Sequence, residues 1–145
     1  MYYSKDTNAY PLFKAHTYDA GFDLSTAETV MCESGEVTII NTGIHIALKP
    51  WQVALVQPRS STAKKGLLVI TGVIDAGYTG AIKIQVLNFT KEAIVVNSGM
   101  RLAQLVIHNN SEYSIEPELV ALDEVLENAP NGDNRGDNGF GSSGS

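Results

Sequence analysis

The sequence predicts an antiparallel all-β domain, a sandwich or a barrel, and three observations carry that prediction. Between about residues 22 and 108 the chain is a succession of short β-branched runs with partial period-two alternation. Pairs containing Gly or Pro (SG, TG, KP, AG) punctuate the runs at close spacing. No helical stretch alternates with them, which argues against βαβ units and a parallel sheet.

In chain order, AGFDLSTAE sets Asp23 after an early glycine, and EVTIINTGIHIALKP is a β-type run interrupted by TG. WQVALVQPR ends at Pro58, whose ring nitrogen has no hydrogen to give to a ladder. Ser60, Ser61 and Thr62 then suit the start of a helical turn. GLLVITGVID and AIKIQVLNFT flank DAGYTG, so this segment reads as a β-hairpin with Asp75 and Tyr78 near its tip. AIVVNSGMRLAQLVIH is β-branched and punctuated by SG, and within it SGMRLAQLVIH reads as a core strand in which Arg101 and Gln104 interrupt an apolar run. ELVALDEVLEN fits two states: Leu119, Leu122, Val125 and Leu126 share a helical face, and a terminal strand also fits. From about Asn128 the composition shifts to Gly, Asn, Asp, Pro and Ser. That shift predicts one domain over 1–127 followed by a flexible arm over 128–145.

Composition narrows the function. The chain's 145 residues, 43% hydrophobic and 18% charged, suit a single soluble domain with a real core. No apolar run approaches the ~20 residues of a membrane span, and MYYSKDTNAY lacks a signal-peptide core, so an intracellular, cytoplasmic location without membrane contact is expected. The lone Cys32 cannot form an internal disulfide, and His16, His45 and His108 share no metal-ligand spacing. A net charge of −6 argues against a nucleic-acid surface. It leaves room for a small polyphosphate where cations converge. The three arginines, Arg59, Arg101 and Arg135, each sit beside Gly or small hydroxyl residues.

Several residues are candidates for chemistry. Asp75 in a turn is either a turn former bonding its own backbone or an ionised carboxylate held against a reacting water. In PRSSTAKKG the fork of Arg59, the hydroxyls of Ser60 and Ser61, and the amides of a helical turn would all suit a phosphate; an ordinary capped turn is the alternative. The chain has no Walker loop. Arg135-Gly136-Asp137 spells an adhesion motif by coincidence, and Phe140 stands alone among the tail's glycines.

Taken together, AGFDLSTA, PRSSTAKKG, GVIDAGYTGAIK, GMRLAQL and RGDNGFGSSG resemble, in order, the five motifs of the trimeric all-β dUTPase family. The resemblance implies a jelly-roll-like β-barrel, a homotrimer, and active sites between subunits. It implies hydrolysis of dUTP to dUMP and pyrophosphate with Mg²⁺, which keeps uracil out of DNA and supplies dUMP for thymidylate synthesis. By position, Asp75 matches the carboxylate that activates water, and Tyr78 the ring against deoxyribose. Arg59, Ser60, Ser61 and Gln104 match phosphate contacts, and Arg101 follows the pattern with a structural role open. Asp23 matches a carboxylate near the metal's water shell or at the subunit contact. Backbone groups of Gly72, Val73, Ile74 and Lys83 would pair with uracil, and cytosine would leave them unpaired at about 1–3 kcal/mol each. Many members carry Asn where this chain has Val69, so recognition here should rest on backbone alone.

The tail answers to the fifth motif. Phe140 would stack on uracil, Arg135 would meet phosphates, and the backbone around Gly141 and Ser142 would approach the polyphosphate as the arm closes over a neighbouring subunit's site. A dCTP deaminase shares the fold but needs a glutamate where this chain has Gln85. The alternative from another class is a regulatory protein on the same scaffold that binds a partner protein under nucleotide control.

Overall fold

Alternation along the strands decides what is inside. In the computed structural model, which describes residues 1–110 and 118–128, the strands are β1 (Tyr2–Lys5), β2 (Phe22–Ser25), β3 (Val30–Cys32), β4 (Val37–Asn41), β5 (Ile44–Ala47) and β6 (Gln52–Pro58). A short helix, α1 (Ser60–Ala63), leads to β7 (Leu67–Ile70), β8 (Gly72–Ile74), β9 (Lys83–Asn88), β10 (Ile94–Val96) and β11 (Arg101–Asn109). The fold class is all-β, as expected, and every strand pairing is antiparallel.

The strands form four sheets, ordered β2-β11-β6-β8, β4-β9-β7, β1-β5 and β10-β3. One core draws on all of them. Val56 and Leu105 face inward from the first sheet, Ile40, Ile84, Val86 and Val69 from the second, Ile44 and Ile46 from the third, and Cys32 and Val96 from the fourth. Registered neighbours on the inner faces, such as Leu105 with Val56 and Ile40 with Ile84, stack their apolar side chains side by side.

The expected hairpin around Asp75 is corrected. β7 does pair with β9, from Leu67 opposite Asn88 to Ile70 opposite Gln85. Past Ile70 the chain leaves that sheet, and β8 pairs with β6 instead. The segment is closed at its base and splayed above it, because residues 72–74 are captured by the edge of another sheet. GLLVITGVID read as one strand flanking a turn; it is two strands serving two sheets.

Asn88 anchors the far end of β9. Its amide donates to the carbonyls of Cys32 and Glu92 (2.9 and 2.8 Å), while its Oδ1 accepts from the backbone N–H and hydroxyl of Thr90 (2.9 and 2.8 Å). Gly66 turns the chain from α1 into β7 with φ +85, a backbone region that other residues avoid.

The chain divides into two units after residue 113, the described parts of which are 1–110 and 118–128. Within the second, Leu122–Asn128 is a helix, α2, with Asp123 and Glu124 in its first turn, where carboxylates complement the helix dipole. The two-state reading of ELVALDEVLEN is thereby settled. Among the described residues no helix is long and apolar enough to cross a membrane.

Replacing Asn88 by Ala should take its amide from the Cys32 and Glu92 carbonyls and its acceptor from the Thr90 N–H, and destabilise the fold by about 2–3 kcal/mol, read from urea unfolding. An unchanged midpoint would mean that water replaces the side chain at no cost.

Candidate active site

A row of polar side chains crosses the outer face of the β2-β11-β6-β8 sheet. Gln104 lies opposite Asp23 on one side and opposite Gln57 on the other. Gln57 Oε1 in turn accepts from the Thr71 hydroxyl at 3.3 Å. Arg101 joins this row because the β11–β2 register shifts between Arg101 and Ala103. Residues three apart would otherwise point to opposite faces; the bulge buries Leu102 and Ala103 in succession and brings Arg101 and Gln104 to one side.

Asp23 is the counter-charge of two arginines. Its Oδ1 is 2.8 Å from Arg59 Nε and its Oδ2 3.1 Å from Arg101 Nη1. Arg59 Nη1 also donates to the Arg101 carbonyl at 3.1 Å, and the Arg101 guanidinium lies 5.2 Å from the Phe13 ring centre. The side chains are 15% exposed for Asp23 and 26% for Arg59, so the carboxylate is held under the cations. Two guanidinium groups against one carboxylate leave a net positive cluster beside an uncapped turn, a field that favours phosphate.

That turn is fixed from below. Arg59 stands at the start of α1 in extended conformation and gives it no side-chain cap. Buried Thr62 donates its hydroxyl to the Leu102 carbonyl at 2.6 Å, and the Gln104 amide donates to the Pro58 carbonyl at 3.0 Å. Ser60 and Ser61 remain exposed. Arg59, expected at the phosphates, is first a structural cation, with Nε and Nη1 both engaged.

Asp75, Tyr78, Gly72–Ile74 and Lys83 gather elsewhere. Tyr78 N–H donates to the Asp75 carbonyl at 3.0 Å, closing a tight turn, and the Tyr78 hydroxyl donates to the Ala81 carbonyl at 3.0 Å. The ring so formed lies over Gly80, where a Cβ would come within 2.6 Å of the phenolic oxygen. Asp75 is exposed, and among the described residues nothing pairs with its carboxylate. β8 is the edge of its sheet, and β9 pairs with β7 only as far as Gln85, so Ile84 and Lys83 also have an open side. The strands entering and leaving the Asp75 connection therefore both carry backbone donors and acceptors available to a planar ligand.

These two groups lie at opposite ends of one sheet. β8 runs antiparallel to β6 with Gly72 opposite Val56 and Ile74 opposite Ala54, so Asp75 continues towards Val53. Arg59 lies beyond Pro58 at the other end. Six residues of extended strand separate those positions, about 20 Å at the usual rise. One chain brings Asp23, Arg59, Ser60, Ser61, Arg101 and Gln104 together, and Asp75, Tyr78, Gly72–Ile74 and Lys83 together, and keeps the two sets apart.

Sequence reading passed over Gln57 and Thr71, whose place in the polar row only the β6–β11 register reveals. Arg135, Phe140, Gly141 and Ser142 lie outside the described residues. Among the described residues no group of three or more His, Cys, Asp or Glu is placed to hold a metal.

Comparison with known proteins follows this geometry. A family model described as dUTPase matches residues 8–144. The chain is 40% identical over 135 residues to the deoxyuridine 5'-triphosphate nucleotidohydrolase of Clostridium novyi, covering 91% of this chain and 89% of that protein. It is 43% identical over 135 residues to the protein of the same name from Mycobacterium avium, covering 90% and 85%. Among solved structures it is similar to a mutant of the Staphylococcus bacteriophage 80alpha dUTPase with dUpNHpp, with TM-score 0.76, 29% identity, and 99% and 98% of the two chains covered. It is also similar to a mutant of the dUTPase from phage phi11 of S. aureus, a protein that coordinates a structural Mg(II) ion, with TM-score 0.73, 29% identity, and 84% and 95% covered.

Asp23→Asn would keep an acceptor but remove the charge between Arg59 and Arg101. The expected cost is about 1–2 kcal/mol in urea unfolding, since the carboxylate is mostly buried while the cations stay partly solvated. A variant as stable as the parent would show that the arginines need no counter-ion.

Proposed function

The chain belongs to the dUTPase family, and from that premise we propose that it hydrolyses dUTP to dUMP and pyrophosphate at sites completed by neighbouring copies of the same chain. The observation that carries this reading is the division of the site: a cationic, hydroxyl-rich half suited to a triphosphate and a half suited to a nucleoside, about 20 Å apart along one sheet. No single molecule of dUTP joins them within one chain.

In the assembled site Asp75 is the general base. It takes a proton from water as the water oxygen bonds to the α-phosphorus, and the bond from that phosphorus to the α–β bridging oxygen breaks, releasing pyrophosphate. Its exposed, unpaired carboxylate is free to accept that hydrogen bond, and positioned base help is worth about 10²–10⁴-fold. Backbone groups of Gly72–Ile74 and Lys83 read the O2, N3–H and O4 edge of uracil. Tyr78, pinned over Gly80 by its bond to Ala81, meets deoxyribose with no space for a 2′-hydroxyl. Ser60, Ser61, Gln104 and the positive balance around Arg59 and Arg101 hold the phosphates. Arg135, Phe140, Gly141 and Ser142 are assigned to substrate by likeness to the family's fifth motif.

Mg²⁺ is the cofactor this reading implies. Asp23 is the carboxylate beside the phosphate turn, and both its oxygens already face guanidinium groups. Such a donor set fits an ion borne on phosphate oxygens and water, with Asp23 reaching it through water, and does not fit a protein cage. Bound there, the ion would offset phosphate charge.

The homotrimer is supported by a second feature. The outward face of the β4-β9-β7 sheet is apolar: Val37, Leu87 and Leu68 form one row, and Ile39 and Ile70 flank Gln85 in the next. Val37 is 54% exposed and Ile39 62%, more than an isolated chain usually leaves open on one sheet face.

Pyrophosphate release with Mg²⁺ is expected to be far faster from dUTP than from dTTP, dCTP or UTP; equal turnover of UTP would remove Tyr78 from its role. Asp75→Asn should bind dUTP yet turn over at least ~10²-fold more slowly. Mixing Asp75→Asn chains with Arg59→Ala chains and allowing subunit exchange should restore activity, since random assembly leaves about one site in four with both halves intact. No recovery would place both halves of each site in one chain.

A further inference from the structure

We propose that His45 is a positioning residue for the catalytic connection. This rests on the assignment of Asp75 and Tyr78 above. The connection is stitched at its end, where Ile82 N–H donates to the Ile44 carbonyl at 2.8 Å and the Thr42 hydroxyl donates to the Ile82 carbonyl at 2.7 Å. It is held at its start by the pairing of Ile74 with Ala54. Between those points, among the described residues, Ala76–Ala81 is tied to another element at one place: His45 Nδ1 lies 2.9 Å from the Thr79 carbonyl oxygen.

A carbonyl can only accept, so Nδ1 carries the hydrogen. The other ring nitrogen, Nε2, lies 3.4 Å from Asp6 Oδ1. Asp6 is itself anchored by its N–H to the Gly43 carbonyl at 2.9 Å. The three groups form a line from the N-terminal segment, through a side chain of β5, to the residue next to Tyr78. Thr79 is exposed and borders an open cavity of about 480 Å³, also lined by Tyr2, Tyr3, Asp6 and His45. Loss of the tie lets Tyr78 and Asp75 sample more orientations, which lowers the fraction of productive complexes and leaves substrate affinity nearly unchanged.

The test compares His45→Ala, His45→Asn and His45→Gln with the parent. An Asn amide nitrogen sits where Nδ1 was; a Gln amide nitrogen sits nearer Nε2. In His45→Ala, hydrogen exchange across residues 76–82 should rise about 5-fold, the equivalent of one lost hydrogen bond. kcat on dUTP should fall by a similar factor with KM within about 2-fold. Asn should restore both readouts and Gln neither. Unchanged exchange in the Ala variant, or restoration by Gln as complete as by Asn, overturns the proposal. Should the Ala variant fail to fold, the difference between Asn and Gln decides. The exchange arm stands apart from catalysis: a parent protein inactive on dUTP would overturn the functional reading while exchange still tests the tie.

Discussion

Between Arg101 and Ala103 the central strand β11 slips by one residue against β2, and most of what is polar on this sheet depends on that slip. β11 pairs with β2 on one side and with β6 along its length on the other, so its register is set twice. Leu102, Ala103 and Leu105 fill the core, and Arg101 and Gln104 emerge together beside Asp23. A regular strand would send one of the two into the core, where a guanidinium or an amide without partners is costly. The same strand then supplies the carbonyls of Arg101 and Leu102 that hold Arg59 and Thr62. The turn at residues 59–63 is thus held by β11's register.

A second constraint is the exchange of sheets at Thr71. Four residues of β7 belong to one sheet and three of β8 to another, and both sets contribute apolar side chains to a shared core. The switch is local. Its consequence is long-range: it opens the segment above Gln85, leaves two strand edges facing a connection that carries Asp75 and Tyr78, and sends that connection to the opposite end of the sheet from Arg59. The reading proposed above, with sites completed by neighbouring copies, follows from that separation. The apolar outer face of the β4-β9-β7 sheet is a surface that such copies would cover.

Loops on this scaffold are held by side chains reaching backbone carbonyls. Thr42, Tyr78 and His45 place donors on carbonyls of the connection before β9, Thr62 ties its turn to the Leu102 carbonyl of β11, and Gln104 donates to Pro58 at the end of β6. Each bond is worth only about 1 kcal/mol net. Their effect is orientation: they restrict each segment while Ser60, Ser61 and Asp75 stay exposed.

Much was written locally. Alternation in EVTIINTGIHIALKP and KIQVLN, Pro58 at a strand end, and the serine turn after it depend on near neighbours, so the sequence alone determined the all-β class, the position of α1 and the segments that bear Asp23, Arg59, Asp75 and Gln104. Helix or strand for Leu122–Asn128 was not decided locally, because a seven-residue apolar pattern is compatible with both. The β7–β8 switch, the bulge that turns Arg101 outward, the pairing of Asp23 with two arginines, and the membership of Gln57, Thr71 and His45 in their networks were decided by tertiary structure. Each is a question of which strand lies beside which, and in what register. Period-two alternation tells a residue's face within its own strand but carries no information about the strand across from it.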